Sequence, residues 1–182
     1  MAFIIFGGYE RFNNNSYNIW NFGRFTVQFI LEQTQLITIV IEIKALKKIL
    51  DLAKQNKIGK LKNLIVIEKE DDEETYKQLE ELGLKTFSWE EIEQKGKNEG
   101  QNLTLNNAKP DDICTINYTS GTTGYPKGVK VSHKNICVGT DVGEIIGLNG
   151  GPDDVYLSYL PYAHIMEELI ITYGNNHGIK IS

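Results

Sequence analysis

Apolar and polar positions along this chain fall into two regimes. Residues 1 to about 30 mix aromatics, Asn and Gly, with Asn13, Asn14 and Asn15 in a row, and hold no sustained period. From Leu31 onward the pattern becomes regular. Leu36 to Ile43 is short, apolar and largely β-branched, which suits a strand. Leu46, Ile49, Leu50 and Ala53 then recur at helical spacing, with Lys44, Lys47 and Lys48 on the other side and Gly59 beyond as the expected stop. Leu64 to Ile67 predicts a second buried strand. The acidic run from Glu68 to Glu81 predicts a solvated helix face; it lacks the spacing and the glycine of a calcium loop.

A short strand is expected around Lys85 to Phe87. Ser88-Trp-Glu-Glu91 fits a capping box, Ser88 serving the orphan amides and Glu91 reaching back. Gly96 to Lys109 reads as a polar connector ending at Pro110, and Ile113 to Tyr118 returns as a strand. Strands and helices alternating at these lengths predict an α/β fold with a mainly parallel sheet flanked by helices.

Composition narrows the class. Hydrophobic residues make up 41% and charged residues 24%, too apolar for a disordered tail. Nineteen basic against twenty-four acidic side chains give a net charge of −5, so no general attraction to nucleic acid is expected. Cys114 and Cys137 are too few to staple 182 residues, which favours a reducing, cytoplasmic setting. No apolar run approaches the ~20 residues of a membrane span.

The chemistry concentrates in Tyr118-Thr-Ser-Gly-Thr-Thr-Gly-Tyr-Pro-Lys-Gly-Val129, directly after a strand. Gly121, Gly124 and Gly128 let backbone amides approach an anion. Thr119, Ser120, Thr122 and Thr123 add hydroxyl donors, Lys127 adds a fixed positive charge, and Pro126 stiffens the return. A polyphosphate requires this combination. It is not the G-x-x-x-x-G-K-[ST] loop, because Pro126 precedes the lysine and Gly128 follows it. A ligand-free Ser/Thr/Gly linker would gain nothing from the Pro-Lys-Gly ending or from a place between two apolar strands.

These residues resemble the phosphate-loop signature of the adenylate-forming (AMP-binding) superfamily. A second stretch, Tyr159-Leu-Pro-Tyr-Ala-His-Ile-Met-Glu167, is similar to the Y-L-P-L-A-H-x-x-E motif of long-chain fatty acyl-CoA synthetases, with Asp153, Asp154 and Val155 before it. The resemblance runs from Ile30 to Ser182. It implies that residues 30–182 form part of the large N-terminal domain of the adenylate-forming fold, leaving residues 1–29 unplaced as a poorly ordered or misassigned leader. It also implies ATP-dependent activation of a fatty acid through an acyl-adenylate, with Mg2+ as metal and coenzyme A as cosubstrate. Thr119, Ser120, Gly121, Thr122, Thr123, Gly124 and Lys127 inherit the phosphates, and Lys127 also stabilises the departing pyrophosphate. His164 inherits a substrate-positioning role at the reacting carboxylate; on residue type alone a lone histidine after an apolar strand is more often structural, by about two to one. No metal ligand is assigned, and peripheral attachment to endoplasmic reticulum or another organelle membrane stays open.

His133 is expected to begin a helix capped by Ser132. His177 falls in a turn-like cluster, Gly174 to Gly178. Two departures stand out: Tyr162 takes a place where leucine is common, and Glu168 one where arginine is. The family's later motifs (adenine and ribose contacts, hinge, C-terminal lysine) are not in the chain, so the 182 residues alone are expected to form no acyl-CoA. Two alternatives remain: a non-catalytic phosphate-binding fragment, and another adenylate-forming branch.

Overall fold

The computed structural model describes residues 24–67, 72–100, 107–119, 125–145, 147, 149–160, 162 and 164–182. They divide into two compact units, one within residues 18–106 and the other from 107 to 182.

In the first unit, β1 (Thr38–Glu42), β2 (Asn63–Ile67) and β3 (Lys85–Ser88) form a parallel sheet in that order, with Ile41 opposite Val66 and Leu64 opposite Thr86. Parallel neighbours need crossover connections. A 3-10 turn at Ile43–Ala45 and α2 (Leu46–Lys54) supply the first; α3 (Glu73–Glu81) supplies the second. The helix α1 (Arg24–Thr34) precedes the sheet and α4 (Trp89–Glu99) follows it. Alternate residues of β1 and β2 are buried, and Ile41, Leu64 and Val66 meet Leu46, Ile49 and Leu79 in a core that water does not reach. The acidic face of α3 is solvated, with only Thr75 and Leu79 buried.

The capping box is present in full. Ser88 Oγ accepts from the Glu91 amide at 3.0 Å, and Glu91 Oε2 accepts from the Ser88 amide at 2.5 Å. It carries α4 to Glu99, so the connector expected from Gly96 is helical over its first four residues. Helix propensity is local, and a good N-cap overrides one interior glycine.

Two further expectations are corrected. The residues just before Leu31 are already helical from Arg24, because Val27, Ile30 and Leu31 make a buried stripe of α1 that the aromatic-rich sequence disguises. Gly59 does not stop α2. The helix ends at Lys54, and Asn56 takes the left-handed φ of 55° that closes it. Gly59 instead sits at φ +57°, where a Cβ would lie 2.8 Å from the Leu31 carbonyl oxygen.

In the second unit, β4 (Ile113–Thr119) and β5 (Lys127–Ser132) are antiparallel, with a bulge between Ile113 and Thr115. α5 (His133–Ile145) follows, then β6 (Val155–Tyr156), α6 (Ile165–His177) and β7 (Lys180–Ile181), the last strand pairing parallel with β6. α5 packs on α6 where Gly139 leaves room: a Cβ there would stand 2.6 Å from Leu169 Cδ2. Residues 174 to 177 are helical, not a turn; the stop is Gly178, left-handed at φ +73°. No helix among the described residues is long and apolar enough to cross a membrane.

Candidate functional site

The glycine-rich segment was expected after a strand of a parallel sheet, between two apolar strands. Its described ends belong instead to two antiparallel strands, and the second of them, β5, is exposed except at Val131 and Ser132. Thr119 and Lys127 face each other in the ladder, both exposed, and Thr119 Oγ1 donates to the Lys127 carbonyl at 3.5 Å. Ser120, Gly121, Thr122, Thr123 and Gly124 lie outside the described residues. Pro126 is buried at the start of the return, between exposed Tyr125 and Lys127.

The next rung is Tyr118 with Gly128. A Cβ on Gly128 would stand 3.0 Å from Tyr118 Cζ and 3.1 Å from Ile116 Cγ2. The tyrosine ring therefore occupies the space a side chain would need. That fixes a glycine immediately after the lysine and explains one element of the motif by packing rather than by ligand approach.

His164 is the N-cap of α6, exposed, with Nδ1 accepting from the Met166 amide at 3.3 Å. Its carbonyl accepts from the Glu167 amide at 2.9 Å and the Glu168 amide at 3.2 Å. Glu167 and Glu168 fill the first turn, where carboxylates complement the helix dipole. Glu167 is 0% exposed. Its two oxygens accept from Tyr156 Oη at 2.7 Å and from Ser158 Oγ at 2.5 Å. Glu168 Oε2 accepts from Asn117 Nδ2 at 3.4 Å, and Asn117 Oδ1 accepts from Thr115 Oγ1 at 2.8 Å. Asn117 stands two residues before Thr119 on β4. The first turn of α6 is thus tied to the strand that carries the loop.

The other two histidines lie at the start of α5 and the end of α6. Ser132 caps α5, accepting from the Asn135 amide at 3.2 Å while its own amide donates to Asn135 Oδ1 at 3.0 Å, and His133 follows as the first helical residue. His177 stacks on Tyr173 with ring centroids 4.0 Å apart, its Nδ1 2.8 Å from the Tyr173 carbonyl oxygen.

Burial, the Glu167 hydrogen bond and the Glu167 charge push the Tyr156 hydroxyl well above the usual phenol range. Tyr162 is raised by burial, then by Glu168 and Cys114. Cys114 is raised by burial first, then by Glu168 and Cys137. Glu168 thus adds its charge to the burial that already raises Tyr162 and Cys114. Sequence reasoning assigned no role to Glu167, Asn117 or Tyr156. A glutamate three places after a helix cap was the available signal for Glu167, but nothing in the spacing reveals that Tyr156 of β6 and Ser158 just beyond it supply its donors. Among the described residues no three of His, Cys, Asp and Glu gather as a metal site.

With this geometry in view, comparison with known proteins decides the family. The model of the AMP-binding enzyme family matches residues 19–181. The chain belongs to the AMP-binding enzyme family. Within this AMP-binding segment, fatty acyl-CoA synthetase B of Dictyostelium discoideum is 34% identical over 160 residues, which is 86% of this chain and 23% of that protein. Long chain acyl-CoA synthetase 5 of Arabidopsis thaliana is 36% identical over 167 residues, 86% of this chain and 24% of its own. The chain thus spans about a quarter of the length of the curated relatives it matches. Among solved structures, the adenylation domain of the carboxylate reductase from Mycobacterium chelonae superposes with a TM-score of 0.67 at 18% identity, covering 89% of this chain and 26% of that one. The AMP-binding segment has the fold of part of an adenylation domain.

Proposed function

We propose that this segment serves an ATP-dependent long-chain fatty acid–CoA ligase. The fatty acid carboxylate attacks the α-phosphorus of ATP, forming an acyl-adenylate and releasing pyrophosphate; the thiol of coenzyme A then displaces AMP to give the acyl-CoA. Such displacements need positioning and charge stabilisation more than covalent help from the protein. Thr119, Ser120, Gly121, Thr122, Thr123 and Gly124 supply hydroxyl and amide donors to the phosphates, and the Lys127 ammonium faces the charge that develops on the leaving pyrophosphate. Mg2+ would neutralise the remaining phosphate charge. His164 positions the carboxylate.

The observation that carries this reading is the hairpin itself. Its ladder ends at the exposed pair Thr119 and Lys127, so a hydroxyl-bearing and an ammonium-bearing residue stand at the two ends of the glycine-rich segment. The names of the two curated relatives, both acyl-CoA synthetases, support the choice of acid. The same reading puts the enzyme in the cytoplasm, in peripheral contact with an organelle membrane where long-chain acids partition.

Reading the transcript beyond the codon for Ser182 and assaying its full translation product with ATP, coenzyme A and palmitate tests the proposal. Palmitoyl-CoA and AMP in equal amounts are expected. Activity on coumarate or acetate with none on any long-chain acid would place the protein in a different branch.

A further inference from the structure

We infer that Glu167 is the positioning residue of the second motif, setting the orientation and tautomer of His164. Glu167 is wholly buried, and each carboxylate oxygen accepts one hydroxyl, from Tyr156 at the end of β6 and from Ser158 just beyond it. Both donors lie on the chain leading into the motif, whereas Glu167 lies on the helix leaving it. The carboxylate therefore clamps the two arms of the loop that carries His164. It also stands in the turn that the histidine caps: the Glu167 amide donates to the His164 carbonyl, and the Met166 amide donates to His164 Nδ1.

The chemical consequence follows from the imidazole. A neutral ring whose Nδ1 accepts carries its proton on Nε2. The exposed edge then offers an N–H donor, suited to an oxygen of a carboxylate or an adenylate and unsuited to abstracting a proton. That His164 faces such an oxygen rests on the ligase reading; the coupling of Glu167 to His164 does not. A buried carboxylate is retained only where its hydrogen bonds are satisfied, and here two hydroxyls satisfy them, one on each carboxylate oxygen.

The test uses the 182-residue chain and needs no substrate. Long-range proton–nitrogen spectra report the His164 tautomer, and amide exchange reports the Met166 hydrogen bond. His133 and His177 serve as internal references. In the unsubstituted chain His164 Nδ1 is expected to resonate as an unprotonated acceptor. In Glu167→Ala it moves toward the tautomer-averaged position and the Met166 amide exchanges roughly fivefold faster, the change expected for losing a helix cap of ordinary strength. Glu167→Gln, which keeps an acceptor for Tyr156 and a donor toward Ser158, restores both signals. Should Glu167→Ala fail to fold, the Tyr156→Phe, Ser158→Ala pair removes the two donors in its place and is expected to give the same shifts. An unchanged His164 spectrum and unchanged Met166 exchange in a folded variant overturn the inference. Absence of ligase activity in the complete protein would leave these spectra untouched and would count against the ligase reading alone.

Discussion

At the scale of single residues, steric limits make sharp demands. Gly59 combines a left-handed backbone with a would-be Cβ 2.8 Å from a backbone oxygen that has no way to retreat. Gly59→Ala is expected to destabilise the 18–106 unit by about 1–3 kcal/mol, read as a lower urea midpoint with an unchanged slope. Gly128 is held differently, by the Tyr118 ring. Gly128→Ala must shift that ring, whereas Gly128→Ala with Tyr118→Ala leaves only Ile116 Cγ2 to give way, so the double variant is expected to be less destabilised than the two single effects summed. A strictly additive result would show that the ring does not fill that space. Thiol labelling probes a third position. Cys137 is exposed, while Cys114 is half-buried with its thiol pushed up by burial and by Glu168. At neutral pH a small alkylating reagent should label Cys137 first, and Glu168→Gln should speed the reaction of Cys114.

At the scale of elements, caps and packed stripes decide what forms. Ser88→Ala removes one half of the capping box and is expected to cost about 1 kcal/mol, measured by thermal unfolding. Leu64→Ala, at the fully buried centre of β2, is expected to cost about 2–5 kcal/mol. Both sites were legible in the sequence, because a capping box and a short β-branched run are local signals. The elements that escaped are those fixed by tertiary contact. The stripe of α1 is spaced correctly at Val27, Ile30 and Leu31, yet three apolar positions among so many aromatics are told from chance only by their packing. The asparagine that ends α2 was invisible beside the more obvious Gly59. The antiparallel pairing of β4 with β5 was missed because a loop of this composition says nothing about the direction in which the chain returns. The candidate site divides in the same way. Lys127 and Thr119 stand out by residue type, whereas Glu167 needs partners from β6 and the residues just beyond it that no spacing rule points to.

At the scale of the whole molecule, the titrating groups act together. Cys114, Tyr118, Tyr156 and Tyr162 all hold their protons more tightly when folded than their ordinary values of 9.0 for a thiol and 10.0 for a phenol. The folded state then binds more protons than the unfolded chain at alkaline pH, so stability falls as pH rises through those ordinary values. An unfolding midpoint that drops above about pH 9 is expected, and a flat profile would contradict it. The molecule also brings the two motifs into one unit. β4 carries the loop strand and Asn117, and Asn117 reaches Glu168 in the turn capped by His164. The central claim is that this arrangement serves fatty acid activation, with Lys127 at the departing phosphates. Its most direct measurement is palmitate-dependent formation of AMP and palmitoyl-CoA by the full translation product, compared with its Lys127→Ala variant. Equal amounts of the two products are expected, with a turnover lower by a factor on the order of 100–1,000 in the variant. Palmitate-dependent turnover that is unaltered by Lys127→Ala would contradict that claim.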